Sequence, residues 1–239
     1  MDKKDLNIIY FKKAILNFLN HISVKSIFYY FKYYKTWLQD ITSNRSTLSD
    51  RKPWITYPAI DFLQSILKSE MNVFEYGSGG STFYFADNAR HVISIEHDEK
   101  WYYNVKDKLE NENIRNVEYF LVKPIQIKST LINKNGTNYD SQDENFIGFS
   151  FESYVKAIDN YPDNHFDLII IDGRSRTSCI AHSINKIKEG GYLIVDNSER
   201  KYYLDPFNFD KNIWNRRDFA GPVPFSYDFS KTTIFQKVK

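Results

Sequence analysis

The chain predicts an α/β fold in which a doubly wound, mostly parallel sheet follows an N-terminal helical extension. Three observations carry that expectation. From about residue 54 onward, short apolar runs that read as strands alternate with segments of helical period. One run, Leu168-Ile169-Ile170-Ile171, is wholly apolar, as in a strand covered on both faces of a parallel sheet. The first run, Val73-Phe74-Glu75-Tyr76, leads straight into the glycine-rich turn Gly77-Ser78-Gly79-Gly80, at the edge where such sheets bind ligands.

The first fifty or so residues read as two helices. Ile8, Phe11, Ile15, Phe18, Leu19 and Ile22 recur mostly at three- and four-residue steps, and Ile27, Phe31, Tyr34 and Leu38 continue the pattern after a break near 21–26. The second helix carries Phe28, Tyr29, Tyr30, Phe31, Tyr33, Tyr34 and Trp37 with Lys32 and Lys35 between them, more apolar surface than one packing contact requires. The uses that stay open are contact with a membrane surface or a partner, a cap over the substrate side of the core domain, or a homodimer seam. Residues 42–53 are mostly polar and end in a proline, so they read as a joint between an extension, 1–52, and a core domain, 53–239.

Within the core, a helix over 58–69 leads to the first strand, 72–76. A helix over 81–88, a strand over 91–96, a helix over 101–110 and a strand over 116–122 follow. The polar stretch 126–145, with Asn135-Gly136, is too long for a tight connection and reads as a substrate lid or a disordered loop. A short helix over 153–160 precedes the apolar strand 168–171. A helix over 177–189, closed by Gly190-Gly191, precedes a strand over 192–195, and residues 225–238 read as a terminal antiparallel hairpin. Right-handed crossovers then bring Glu75, Glu96, Asp172 and Asp196 to the carboxyl ends of strands on one edge.

The charges nearly cancel, 32 basic against 30 acidic, yet residues 1–52 hold ten Lys and Arg against four Asp. Attraction to anionic surfaces therefore belongs to the extension, and the slightly acidic core is a poor match to a nucleic-acid backbone. The single cysteine, Cys179, excludes an internal disulfide and agrees with a reducing compartment. No secretory signal is read, and no apolar run reaches the ~20 residues of a membrane-spanning helix, so a cytoplasmic location is expected. Abundant Lys, Asn, Ile and Tyr suggest an AT-rich, bacterial genome.

The chemistry is concentrated in the turn. A dinucleotide site needs a third glycine three places after the second, and Thr82 stands there; an acid two residues ahead of Gly77 would also repel a pyrophosphate. It suits a ligand that carries an ammonium group. A second acid, Glu96, ends the next strand nineteen residues after Gly77, where it can accept from ribose hydroxyls. Glu75-Tyr76-Gly77-Ser78-Gly79-Gly80 followed by Glu96 resembles the motif region of class I S-adenosylmethionine (SAM)-dependent methyltransferases. The resemblance implies a Rossmann-like, seven-stranded sheet and a SAM site formed by Glu75, Gly77, Ser78, Gly79, Gly80, Ser81, Thr82, Glu96, His97 and Asp172. Glu75 would lie near the methionine amino group, and Glu96 would hold the ribose. Relatives place an acid after the third strand where this chain has Val122-Lys123-Pro124, which leaves the adenine to backbone amides or the polar loop.

Asp172 with Asp196-Asn197 looks like the oxygen ligand set of the Mg-dependent O-methyltransferases, although the lysine that the catechol-type enzymes place three residues after the first acid is Ser175 here. The alternative is that acids at strand ends cap the next helix or line a solvated cleft. Asp172, His182 and Asp196 are the candidate catalytic residues, with Glu199 in the pool of bases, and Arg174, Arg176 and Arg200 flank the same rim. The expected activity is methyl transfer to a hydroxyl of a small molecule or a sugar of a glycan under assembly. Two competitors are an aminopropyl transferase on the same fold and a non-catalytic scaffold.

Overall fold

A computed structural model of the chain describes residues 2–21, 24–127, 138–141 and 143–239. Ile22, and most of the polar stretch 126–145 including Asn135-Gly136, lie outside the described residues.

The main sheet has seven strands: β1 Asn72–Tyr76, β2 His91–Glu96, β3 Val117–Leu121, β4 Phe166–Ile171, β5 Ile187–Val195, β6 Trp214–Pro222 and β7 Phe229–Lys237. Their order is β3-β2-β1-β4-β5-β7-β6; the first five are parallel, and β7 pairs antiparallel with both β5 and β6. The reversal of order between β1 and β4 opens a crevice beyond their carboxyl ends, the standard ligand position in such sheets. All five residues of β1 are buried, and so are the last five of β2. A two-stranded ribbon, Ile125–Gln126 with Phe149–Ser150, lies apart from the main sheet.

Among the described residues seven α-helices accompany the strands: α1 Lys3–Asn20, α2 Val24–Thr42, α3 Tyr57–Ile66, α4 Gly80–Asn88, α5 Glu99–Asn111, α6 Glu152–Val155 and α7 Arg176–Ser183. Apolar side chains pack on both sheet faces. One layer centres on Phe74, Tyr76, Phe151, Tyr154, Ile169 and Phe235, the other on Ile55, Leu63, Val73, Phe85, Ile170 and Ile234.

Two expected boundaries are corrected. The helix expected over 177–189 ends as α7 at Ser183, and Gly190-Gly191 lies inside β5 rather than at a helix end. Ile187 pairs with Phe166 while Tyr192 pairs with Leu168, so four residues bulge opposite one. Gly190 takes the left-handed backbone that this bulge requires, at φ +80°. The terminal hairpin is present but begins at Trp214, because its first strand is an edge strand whose residues 215–218 are polar and exposed.

The extension packs on this hairpin. Trp37 is fully buried and donates from Nε1 to the Ser226 carbonyl at 2.7 Å, while Tyr10 packs edge-on against Phe229. Leu6, Tyr10, Ala14, Tyr30, Tyr33 and Trp37 thus form a third core together with Tyr57. Most of the rings of α2 turn inward, which accounts for the aromatic excess. The outer face of α1 does not: Ile8, Phe11, Ile15, Leu16 and Leu19 are exposed, as are Phe28 and Phe31 of α2.

Candidate functional site

The carboxyl ends of β1, β2, β4 and β5 surround a cleft of about 1020 Å³. Gly77, Ser78, Gly79, Gly80, Ser81, Glu96, His97, Asp172, Asp196 and Asn197 line it. Most residues singled out from the sequence therefore meet at one place. Thr47 of the joint, Trp54 just after it, Trp101 of α5, and Ser226, Asp228, Phe229 and Ser230 of the hairpin add to the wall, with no sequence motif to announce them.

Each glycine of the turn has a different reason to be glycine. Gly77 has φ +91°, and a Cβ there would meet the Gly173 backbone at 2.8 Å, so the turns after β1 and β4 touch. A Cβ on Gly80 would run into the carbonyls of Thr47 and Lys52, so the close approach of the joint requires glycine here. Gly79 has only the Trp101 ring at 3.7 Å and faces the cleft.

Glu75 stands behind the turn, fully buried, and does not line the cleft. Its Oε2 accepts from the Thr82 and Ser94 hydroxyls, each at 2.6 Å, and Thr82 Oγ1 in turn accepts from the Gly79 amide at 3.0 Å. Glu75 and Thr82 thus hold the turn in shape. Burial, only partly offset by hydroxyl donors from Ser81, Ser94 and Thr82, pushes the Glu75 carboxyl up to about 7.

Glu96 is different. Oε2 accepts from the amide and hydroxyl of Ser78 at 3.1 and 2.8 Å, and Oε1 accepts from the amides of His97 and Asp98 at 2.7 and 2.8 Å. His97 Nδ1 lies 2.8 Å from Oε1, within ion-pair range but off hydrogen-bond geometry. Burial alone would raise this carboxyl, but His97, the Asp98 amide and Ser78 outweigh it and hold the group below its ordinary value. Ser78 Oγ also lies 2.6 Å from the Tyr119 hydroxyl. The Ser78 hydroxyl therefore has a second partner and can release Glu96 to a ligand hydroxyl.

At the other end of the cleft Arg176 joins Asp172 to Asp196. Its Nη2 donates to Asp172 Oδ1 and to the Asp172 carbonyl, both at 3.0 Å; Nη1 donates to the Asp196 carbonyl at 2.6 Å and lies 3.8 Å from Asp196 Oδ2. Asp196 Oδ1 accepts from the Thr232 hydroxyl at 2.6 Å. Asn197 is committed too, its Nδ2 donating to Ser230 Oγ at 2.9 Å. The fit to magnesium fails on these contacts: the point between the carboxylates faces a guanidinium, and a divalent ion there would meet like charge. Among the described residues no His, Cys, Asp and Glu cluster of metal-binding form occurs.

Burial raises both Asp172 and Asp196, opposed in each by Arg176 and reinforced in Asp196 by the Asp172 charge. Two carboxylates that share one guanidinium form a proton-accepting pair next to the cleft. His182 does not reach it. Its Nδ1 lies 2.9 Å from the Asp159 carboxylate and its Nε2 3.4 Å from the Tyr139 hydroxyl, on the far end of α7.

The fold recurs in solved structures. A candidate methyltransferase from Streptococcus mutans in complex with S-adenosylhomocysteine (SAH) is 15% identical, with a TM-score of 0.52 over 74% of this chain and 94% of that one. A candidate O-methyltransferase from Klebsiella pneumoniae gives 0.56 at 11% identity, over 86% and 96% of the two chains. The chain has the class I methyltransferase fold. An rRNA methylase from Streptococcus thermophilus shares this class I fold at 14% identity, with a TM-score of 0.53 over 83% and 100% of the chains. No protein-family model and no curated protein matches the sequence.

Proposed function

We propose that the protein is a SAM-dependent methyltransferase that acts on a hydroxyl of a small molecule or sugar. The carrying observation is Glu96, kept ionised at the tip of β2 beside the cleft-facing Ser78 and Gly79. A carboxylate in that position accepts from a ribose diol, and the turn lets backbone approach the rest of a nucleoside. When bound, SAM supplies an electrophilic methyl group, so the chain has to orient the acceptor and take up its proton. The Asp172 and Asp196 pair, raised by burial, is suited to that proton.

A hydroxyl acceptor is favoured over the alternatives on particular contacts. An aminopropyl transferase needs free carboxylates for a polyamine, whereas Asp172 already pairs with Arg176 at 3.0 Å. An inert scaffold would not need raised carboxylates beside an open cleft. The core domain, with 22 basic and 26 acidic residues over 53–239, is a poor surface for an rRNA backbone. The test is calorimetric titration with SAH. Wild type binds it, and Glu96→Ala, which removes a charged acceptor of two hydroxyl donors, weakens binding at least about tenfold. Equal affinity in the two proteins would falsify the reading.

We further propose that the extension rests on an anionic membrane surface. Ile8, Phe11, Ile15 and Leu19 form the outward stripe of α1, and the exposed Lys4 and Lys12 flank it. An apolar stripe edged by lysines is complementary to acyl chains beneath anionic headgroups. Among the described residues no helix is long and apolar enough to cross a membrane.

A further inference from the structure

We propose that the acceptor carries an oxyanion group, seated on Arg200 and the N-terminal end of α7. This rests on the methyltransferase reading above and adds the chemical class of the acceptor. A second cavity of about 360 Å³ adjoins the cleft, and Gly173, Arg174, Arg176 and Arg200 line both. A molecule whose hydroxyl lies by Asp172 and Asp196 therefore extends naturally into this space.

The arginines of the cavity are not equivalent. Arg176 is committed to Asp172 and Asp196, and Arg174 lies 2.7 Å from Asp143 Oδ2. Arg200 has no carboxylate within ion-pair distance among the described residues. Its Nη1 donates to the Tyr203 hydroxyl at 3.0 Å, and its guanidinium lies 6.0 Å from the centre of that ring. The adjacent carboxylate, Glu199, faces away and accepts from Ser230 Oγ and the Lys231 amide. Arg200 is thus a fork of donors held by the Tyr203 hydroxyl on the wall of a cavity, and such a fork matches a phosphate or carboxylate bidentately.

An independent observation lies on the same wall. Ser175 is 6% exposed, and its buried Oγ has no hydrogen-bond partner. Its backbone is left-handed at φ +49°, unusual for a residue with a side chain. Ser175 is the N-cap of α7, yet its hydroxyl caps nothing in the helix. The amides of Arg176 and Thr177 open α7 at the positive end of the helix dipole. Ser175, Arg176, Thr177 and Arg200 line the same cavity, so an oxyanion bound there has the Ser175 hydroxyl, the positive end of α7 and the Arg200 fork on its walls.

The experiment titrates inorganic phosphate and, separately, acetate at constant ionic strength, without SAH, into wild type, Arg200→Gln and Ser175→Ala. Wild type is expected to bind one of the two anions, and the anion bound tells a phosphorylated acceptor from a carboxylic one. Arg200→Gln loses that binding by about tenfold or more. Ser175→Ala loses less, and both variants keep the circular dichroism and thermal unfolding transition of wild type, which shows that they remain folded. Binding of neither anion, or equal binding by Arg200→Gln, overturns the proposal. A wild type that binds the anion but not SAH retains the anion site and overturns the methyltransferase reading instead.

Discussion

At the scale of single residues, the two acids of the motif have opposite roles. Glu96 faces the cleft and is held ionised, whereas Glu75 is sealed behind the turn and raised to about 7. The pH dependence follows from the sign. A carboxyl whose folded value lies above its unfolded value of about 4.5 gives its full stability below that value, and the contribution is lost as pH rises through about 7. The difference amounts to about 3 kcal/mol at most. Urea unfolding of Glu75→Gln, which mimics the protonated acid, should therefore lose less stability than wild type between pH 5 and 8; parallel curves would refute this. The sequence spacing revealed both acids but not their division of labour, which depends on how Thr82 and Ser94 approach Glu75 in three dimensions. The ion pair of Asp172 with Arg176 was equally hidden, because Asp172 follows β4 and Arg176 opens α7, so the turn between them decides whether they meet.

At the scale of elements, five strands read from apolar runs appear close to where they were expected; four of them are largely buried, which leaves unmistakable runs, while β3 alternates half-buried and exposed residues. The edge strand β6 was missed at its start since Asn215, Arg216, Arg217 and Asp218 show no such run. The same limit hid the role of Gly80, which depends on a joint that contacts the turn from elsewhere in the chain. Two alanine substitutions separate these roles. Gly80→Ala gains about 1 kcal/mol of helix propensity but forces a methyl group against two carbonyls, so a net loss of about 2 kcal/mol or more is expected in chemical denaturation. Gly79→Ala should cost under about 1 kcal/mol, since its Cβ has ordinary contacts, and should instead weaken SAH binding through the cleft wall. Reversed stability effects would contradict the assignment of Gly80 to the joint.

At the scale of the whole molecule, the extension is part of the fold, for Trp37, Tyr10 and Phe229 share one core. Its sequence predicted helices and an apolar surplus, but not which rings would be inward, because that choice is made by the hairpin. The remaining outward stripe gives a measurable expectation. Wild type should sediment with vesicles that contain anionic lipid and much less with neutral ones, and Ile15→Glu with Leu19→Glu should abolish sedimentation. Recovery of wild type wholly in the supernatant with anionic vesicles, with a dimeric mass in solution, would reassign the stripe to a second copy.

The guanidinium between Asp172 and Asp196 has one more consequence. A cation tethered through its own backbone is neither diluted away nor stripped by a chelator, and it answers to no fluctuation in ion supply. Methyl transfer should accordingly persist in excess EDTA and show no response to added magnesium, while Arg176→Gln, left with two unshielded acids, should be inactive at any magnesium concentration.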